Sequence, residues 1–116
     1  GFIGSPAMNL LEGSMDAGVF TGTNVRVTGL PEGLSGPITL GFRAEDSSVV
    51  EQGEISAPIY SLELLGDATL VTVKAGGGLV AVKAGKDFRA EIGGPFSASI
   101  PASICHLYDS TTGERV

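Results

Sequence analysis

The sequence predicts an all-β chain of short strands, folded as a small barrel or sandwich with at most short helical turns. Three features of its 116 residues point there. Apolar and polar residues alternate at period two in several short runs, as half-buried strands require. Few windows space the apolar residues as a helix does. The 18 Gly and 6 Pro cut these runs into lengths suited to strands and turns.

Phe2 and Ile3 open the chain as an apolar pair, and Gly4-Ser5-Pro6 follows as a turn. Pro6 fixes its own φ and biases Ser5 away from helix, so the chain is bent or extended there. The stretch 1–13 reads as a junction from an upstream domain into the first strand, expected over Met8 to Glu12. Residues 1–116 as a whole suit one domain with its own core. Gly13 to Gly18 carries turn chemistry, Val19 to Thr21 returns as a second strand, and Asn24 to Thr28 alternates Val25 and Val27 against polar neighbours. Gly29 to Pro37 holds too many breakers for more than one helical turn and reads as a connection. Ile38, Leu40 and Phe42 then share one face of a strand that leads into a loop, Ala44 to Ser48. Beyond the ambiguous Val49 to Gly53, the apolar positions Ile55, Ala57, Ile59 and then Leu62, Leu64 change parity near Pro58 to Ser61. That predicts a bulge or a break between two strands.

A hairpin between Thr69 and Lys86 is the sharpest local prediction. Paired residues must share a face, and a two-residue Gly76-Gly77 turn sets Val73 against Val80 and Val71 against Val82. A three-residue loop through Gly78 sets Val73 against Ala81 and breaks the pattern. The Gly-Gly pair also tolerates the positive φ of a primed turn. Further on, Phe96, Ala98 and Ile100 alternate, Pro101 to Ser103 turns, and Ile104 to Tyr108 is the last strong strand. Asp109 to Gly113 is a tight turn before Glu114-Arg115-Val116.

With Lys+Arg 7 against Asp+Glu 13, the net charge is -6. Counterion release therefore opposes nucleic-acid binding, and no cationic run meets an anionic membrane surface. DNA and RNA are discounted as partners. A single-strand binder needs stacking aromatics in a basic groove, and 5 Phe, 2 Tyr and no Trp on an acidic chain supply little of that. No transmembrane span is present in the sequence.

Cys105 alone cannot close an internal disulfide, and with the single His106 it cannot complete a structural zinc site. A strand sends these two neighbours to opposite faces, so they do not form a nucleophile and its base. Glu45-Asp46 is an acidic pair that could hold a cation or exchange protons, though a solvated turn is its commoner role; Arg43 is placed to pair with it locally. Gly85-Lys86 lacks the Ser/Thr and the upstream Gly of a P-loop, and Gly76-x-Gly78-x-x-Ala81 is followed by a strand where a dinucleotide fingerprint needs a helix. No catalytic, cofactor-binding or metal-ligating residue is expected. A binding, regulatory or assembly module is the default.

Four ordered motifs add a resemblance. Phe2-Ile3-Gly4-Ser5-Pro6-Ala7-Met8-Asn9 resembles the junction that follows the ATPase domain in the ATP-binding subunits of carbohydrate-type ABC importers, the maltose and glycerol-phosphate group. Leu40-Gly41-Phe42-Arg43-Ala44-Glu45-Asp46 is similar to that family's Leu-Gly-Ile-Arg-Pro-Glu-His segment, and Glu63-Leu64-Leu65-Gly66 to its Glu-x-Leu-Gly. His106-Leu107-Tyr108-Asp109-Ser110-Thr111-Thr112-Gly113-Glu114-Arg115 is similar to its His-Leu-Phe-Asp-x-x-Thr-Gly-x-Arg. Ala44 stands where Pro is usual and Asp46 where His is usual.

This resemblance implies a carboxy-terminal regulatory and dimerisation domain, an OB-fold-like small β-barrel of the TOBE type with accessory strands, non-catalytic in itself. ATP and Mg would be bound by the upstream ATPase domain. The implied partners are that domain, a second copy of the subunit, membrane permease subunits and, in some members, a regulatory protein. The implied location is cytoplasmic, on the inner face of the cell membrane. Phe2, Ile3, Ser5, Pro6, Asn9, Arg43 and Glu45 become interdomain or interface candidates, with Asn9 also suited to bonding backbone at the strand start. The competing expectation is a small-ligand sensing domain for a sugar phosphate or oxyanion.

Overall fold

The computed structural model describes residues 8–116, so the junction candidates Phe2, Ile3, Ser5 and Pro6 lie outside the described residues. Ten strands follow in order: β1 Met8–Asp16, β2 Val19–Gly22, β3 Val25–Val27, β4 Gly36–Arg43, β5 Ser48–Val50, β6 Ile55–Leu64, β7 Thr69–Ala75, β8 Gly78–Ala84, β9 Pro95–Ser99 and β10 His106–Asp109. Single 3-10 turns at Ala44–Asp46 and Ala102–Ile104 are the helical elements among the described residues. The expected all-β class is the observed one.

All pairings between strands are antiparallel, in the order β10-β4-β1-β2-β3-β6-β7-β8, with β9 pairing both β5 and β6. The ladder does not close into a barrel. Inward-facing Leu11, Met15, Phe20, Leu40, Phe42, Ile55, Ile59, Val71, Val73, Val80 and Val82 form one core between its halves.

The β7–β8 hairpin has the expected register, with Val73 opposite Val80, Val71 opposite Val82 and Ala75 closing against Gly78. Gly76 and Gly77 both sit at positive φ, 59° and 84°, as a primed turn demands. The parity change in β6 is a bulge: Ile59 pairs with Val73 but Ser61 with Thr72, leaving Tyr60 as the extra residue. Lys74 Nζ lies 5.3 Å from the Tyr60 ring centroid on the outer face.

Two boundaries differ from expectation. Strand β1 runs on through Gly13 and Ser14 to Asp16, because β4 offers Ile38, Pro37 and Gly36 as partners for Gly13, Ser14 and Met15. The turn shrinks to Ala17-Gly18, with φ of 50° and 81°. At the other end, Ile104 closes a 3-10 turn through its N–H to the Pro101 carbonyl at 3.0 Å, so β10 starts only at His106.

Side chain and turn do what the ladder leaves undone between β8 and β1. Alternate residues of an antiparallel edge strand point N–H and C=O away from their partner. At Ala81 both groups meet Asn9: Ala81 N–H donates to Oδ1 at 2.9 Å and Asn9 Nδ2 donates to the Ala81 carbonyl at 2.7 Å. The Asn9 amide thus stands in for a strand residue. One end of the gap is closed by the hairpin tip, where Glu12 N–H donates to the Gly76 carbonyl and Gly76 N–H to the Thr23 carbonyl, each at 2.8 Å.

Candidate functional site

The outer face of β10-β4-β1 gathers most of the polar chemistry that the core does not consume. Register sets its rows: Arg43 lies opposite Met8, Gly41 between Leu10 and His106, and Thr39 between Glu12 and Tyr108. Gly41 has no side chain, and Tyr108 and Met8 close over it. Their hydroxyl and thioether sulfur are 3.5 Å apart, and a Cβ on Gly41 would run into Met8 Sδ. Thr39 Oγ1 donates to Glu12 Oε1 at 2.8 Å, and Ser110 Oγ reaches the same oxygen at 3.3 Å, so the Glu12 carboxylate is held down on the sheet.

Returning after β10, the chain lays Arg115 beside Tyr108 through an isolated antiparallel bridge, with the guanidinium carbon 5.7 Å from the ring centroid. The turn that brings it back is built by Asp109. Its Oδ1 accepts the N–H groups of Thr111 at 2.8 Å and Thr112 at 2.9 Å, and Gly113, at φ 78°, donates to the Asp109 carbonyl at 2.8 Å. These backbone bonds, Thr112 first, hold the Asp109 carboxyl below its ordinary value of 3.8. The stabilisation is therefore present above about pH 4 and lost as pH falls through the lowered value. Asp109→Asn is expected to flatten the acid limb of a plot of urea midpoint against pH between 5 and 2; an unaltered limb contradicts this.

His106 is lowered from its ordinary value of 6.5 by burial first, then by the Arg115 and Arg43 cations, with Asp46 pulling the other way. It is a neutral imidazole at pH 7, and its buried Nδ1 has no hydrogen-bond partner among the described residues. Cys105 has other company. Its Sγ sits 3.4 Å from the Pro101 carbonyl oxygen and 3.6 Å from that of Ile100, and burial, helped by the Glu54 charge, pushes the thiol up to about 12 from 9.0. Neither residue activates the other. A thiol pushed up to about 12 holds far less thiolate at pH 8 than one at 9.0. Alkylation of Cys105 by iodoacetamide should therefore be at least about tenfold slower in the folded chain than in denaturant, the greater nucleophilicity of a high-pKa thiolate offsetting part of the loss, and equal rates contradict it. Because burial penalises the thiolate, the folded chain loses no stability through Cys105 below about pH 9 and loses it progressively as pH climbs toward 12.

Of the sequence-derived candidates, Arg43 lies on this outer face and Glu45 is exposed on the adjoining 3-10 turn. Asn9 is on the opposite face of β1, turned to β8. The local ion pair expected of Arg43 with Glu45 or Asp46 is not formed among the described residues. Ser47 closes the turn instead, its N–H and Oγ both donating to the Ala44 carbonyl, at 3.2 and 2.7 Å. Leu10 carries no signal in the sequence, and Tyr108 and Arg115 stand there only within the His106 to Arg115 motif, not as site candidates. The available signal was the Gly113 turn, which folds Arg115 back on Tyr108.

No three His, Cys, Asp or Glu side chains gather as a metal ligand set among the described residues. A concavity lined by Thr23, Lys74, Ala75, Gly77, Gly78 and Leu79 is mainly apolar and lacks convergent polar groups. No helix among the described residues is long and apolar enough to cross a membrane.

No family model matches the chain. Its homologues are ABC transporter ATP-binding proteins. It is 33% identical, over 97% of its length, to an uncharacterized ABC transporter ATP-binding protein YcjV of Escherichia coli O157:H7. It is 34% identical over 100% of its length to the sn-glycerol-3-phosphate import ATP-binding protein UgpC 1 of Rhizobium johnstonii, and 34% identical over 99% to UgpC of Salmonella paratyphi A. The chain spans about a third of the length of these relatives, 34%, 34% and 35% respectively.

Proposed function

We propose that the chain is the carboxy-terminal regulatory and dimerisation domain, of the TOBE type, of the ATP-binding subunit of an ABC importer for sugars or related carbohydrates. The observation that carries this reading is the shape of the similarity: it runs from end to end of this chain and covers only a third of each relative. The content of that third agrees, since the sequence holds no P-loop and the structure is an all-β sheet packed on one apolar core. In this reading hydrolysis belongs to the remainder of the subunit, which binds ATP and Mg, contacts permease subunits and works on the cytoplasmic side of the membrane. The domain's part is to hold two subunits together and to receive regulators.

Light-scattering mass of the parent subunit, measured with and without this chain in nucleotide-free buffer, tests the dimerisation role. A dimer that becomes monomeric when the chain is removed is the expected result. An unchanged dimer refutes that role.

A further inference from the structure

Both ends of the described chain come to the same place. Strand β1 begins at Met8, opposite Arg43 on the outer face of β10-β4-β1. At the other end, Arg115 is bridged to Tyr108, and Val116 N–H donates to the Leu107 carbonyl at 3.0 Å along the free side of β10. The two ends meet around one ring, because the Tyr108 hydroxyl touches Met8 Sδ while Arg115 lies over the ring. Met8 and Arg115-Val116, the two ends of the described residues, thus lie together at this face. The face is also unfinished: Leu10 is 54% exposed at its centre, and Arg43 and Arg115 have no ion-pair partner among the described residues, on a chain of net charge -6. Residues 1–7 contain no carboxylate that could serve them.

We infer that this face, formed by Met8, Leu10, Arg43, His106, Tyr108 and Arg115, is the docking surface for the ATP-binding portion of the same polypeptide, which presents an apolar patch to Leu10 and carboxylates to the two arginines. The inference rests on the proposed reading of the chain as one part of an ATP-binding subunit. An intramolecular partner suits the site because tethering within one polypeptide raises its effective concentration, so a modest contact area suffices. A second copy of the chain has no such advantage. Covering the two arginines while leaving their cations unpaired is unfavourable, which makes an acidic partner surface the matching one.

The experiment compares thiol labelling of Leu10→Cys in the 116-residue chain and in the full-length parent, with Cys105, a half-buried thiol, replaced by Ser in both. Leu79→Cys, exposed on the β7–β8 hairpin away from this face, is the control. The expected result is labelling of L10C at least about tenfold slower in the parent, with L79C unchanged, and recovery of the L10C rate in an R43E/R115E parent. Equal L10C rates in chain and parent overturn the docking surface while leaving the proposed function standing, provided the parent binds ATP. A parent that binds no ATP overturns both. Labelling of L10C in the isolated chain that slows with rising chain concentration assigns the face to a second copy and overturns the inference.

Discussion

Gly76→Val is expected to destabilise the chain by about 2–5 kcal/mol, from leaving the left-handed region to a branched residue and from overpacking against β1. At Gly76, with φ of 59°, an added Cβ would stand 2.5 Å from Leu11 Cβ and 2.8 Å from Leu11 Cα. The turn cannot retreat, since its N–H and C=O are bonded to Thr23 and Glu12, and Leu11 is fully buried. Gly77 supplies the comparison. It has φ of 84° but an added Cβ there would meet nothing within 4 Å, so Gly77→Ala carries the backbone cost alone, about 1–2 kcal/mol. Urea midpoints read both. Similar losses at the two positions would mean that the hairpin tip does not press on β1.

Asn9→Leu comes next, with an expected loss of about 2–4 kcal/mol, because it keeps the volume and removes both partners of Ala81. The Ala81 N–H and C=O point away from β7 and have the Asn9 amide as their partner. Asn9→Asp retains an acceptor for the N–H but sets a carboxylate against the Ala81 carbonyl. Its loss at pH 7 should be recovered in part at acid pH, where the protonated acid donates. Faster exchange of the Ala81 amide in N9L is the local signature, and a protected Ala81 amide contradicts the assignment. Since Asn9 and Gly76 both tie β8 to β1, the double variant should lose less than the sum of the singles.

The contrast between those two residues shows what the sequence made legible. Val71, Val73, Val80 and Val82 declare their face by alternation, and Gly76-Gly77 fits only the register that keeps it, so the hairpin followed from local rules. The bulge at Tyr60 was legible for the same reason, as a break in parity. The length of β1 was not, because Gly13 and Ser14 are turn residues by composition and become strand only through partners on β4, far along the chain. The side-chain bridge from β1 to β8 was hidden too: Asn9 was suited to a backbone bond, but nothing near it in sequence names Ala81. The outer face depends on β4 and β10 lying side by side, which brings Arg43 to His106 and Arg115. The motifs held those residues in order, and only the topology made them neighbours. The expected Arg43 ion pair is not formed among the described residues, and it is Ser47, through the Ala44 carbonyl, that closes the turn.

At the centre of the proposed function, this chain serves an ATP-binding subunit without taking part in hydrolysis. Steady-state ATP hydrolysis, measured for the 116-residue chain alone, for the parent subunit and for the parent with this chain deleted, tests that role most directly. No turnover above buffer is expected from the chain alone, and turnover is expected to persist after its deletion. Hydrolysis by the isolated chain, or loss of ATP binding when it is removed, would contradict the role.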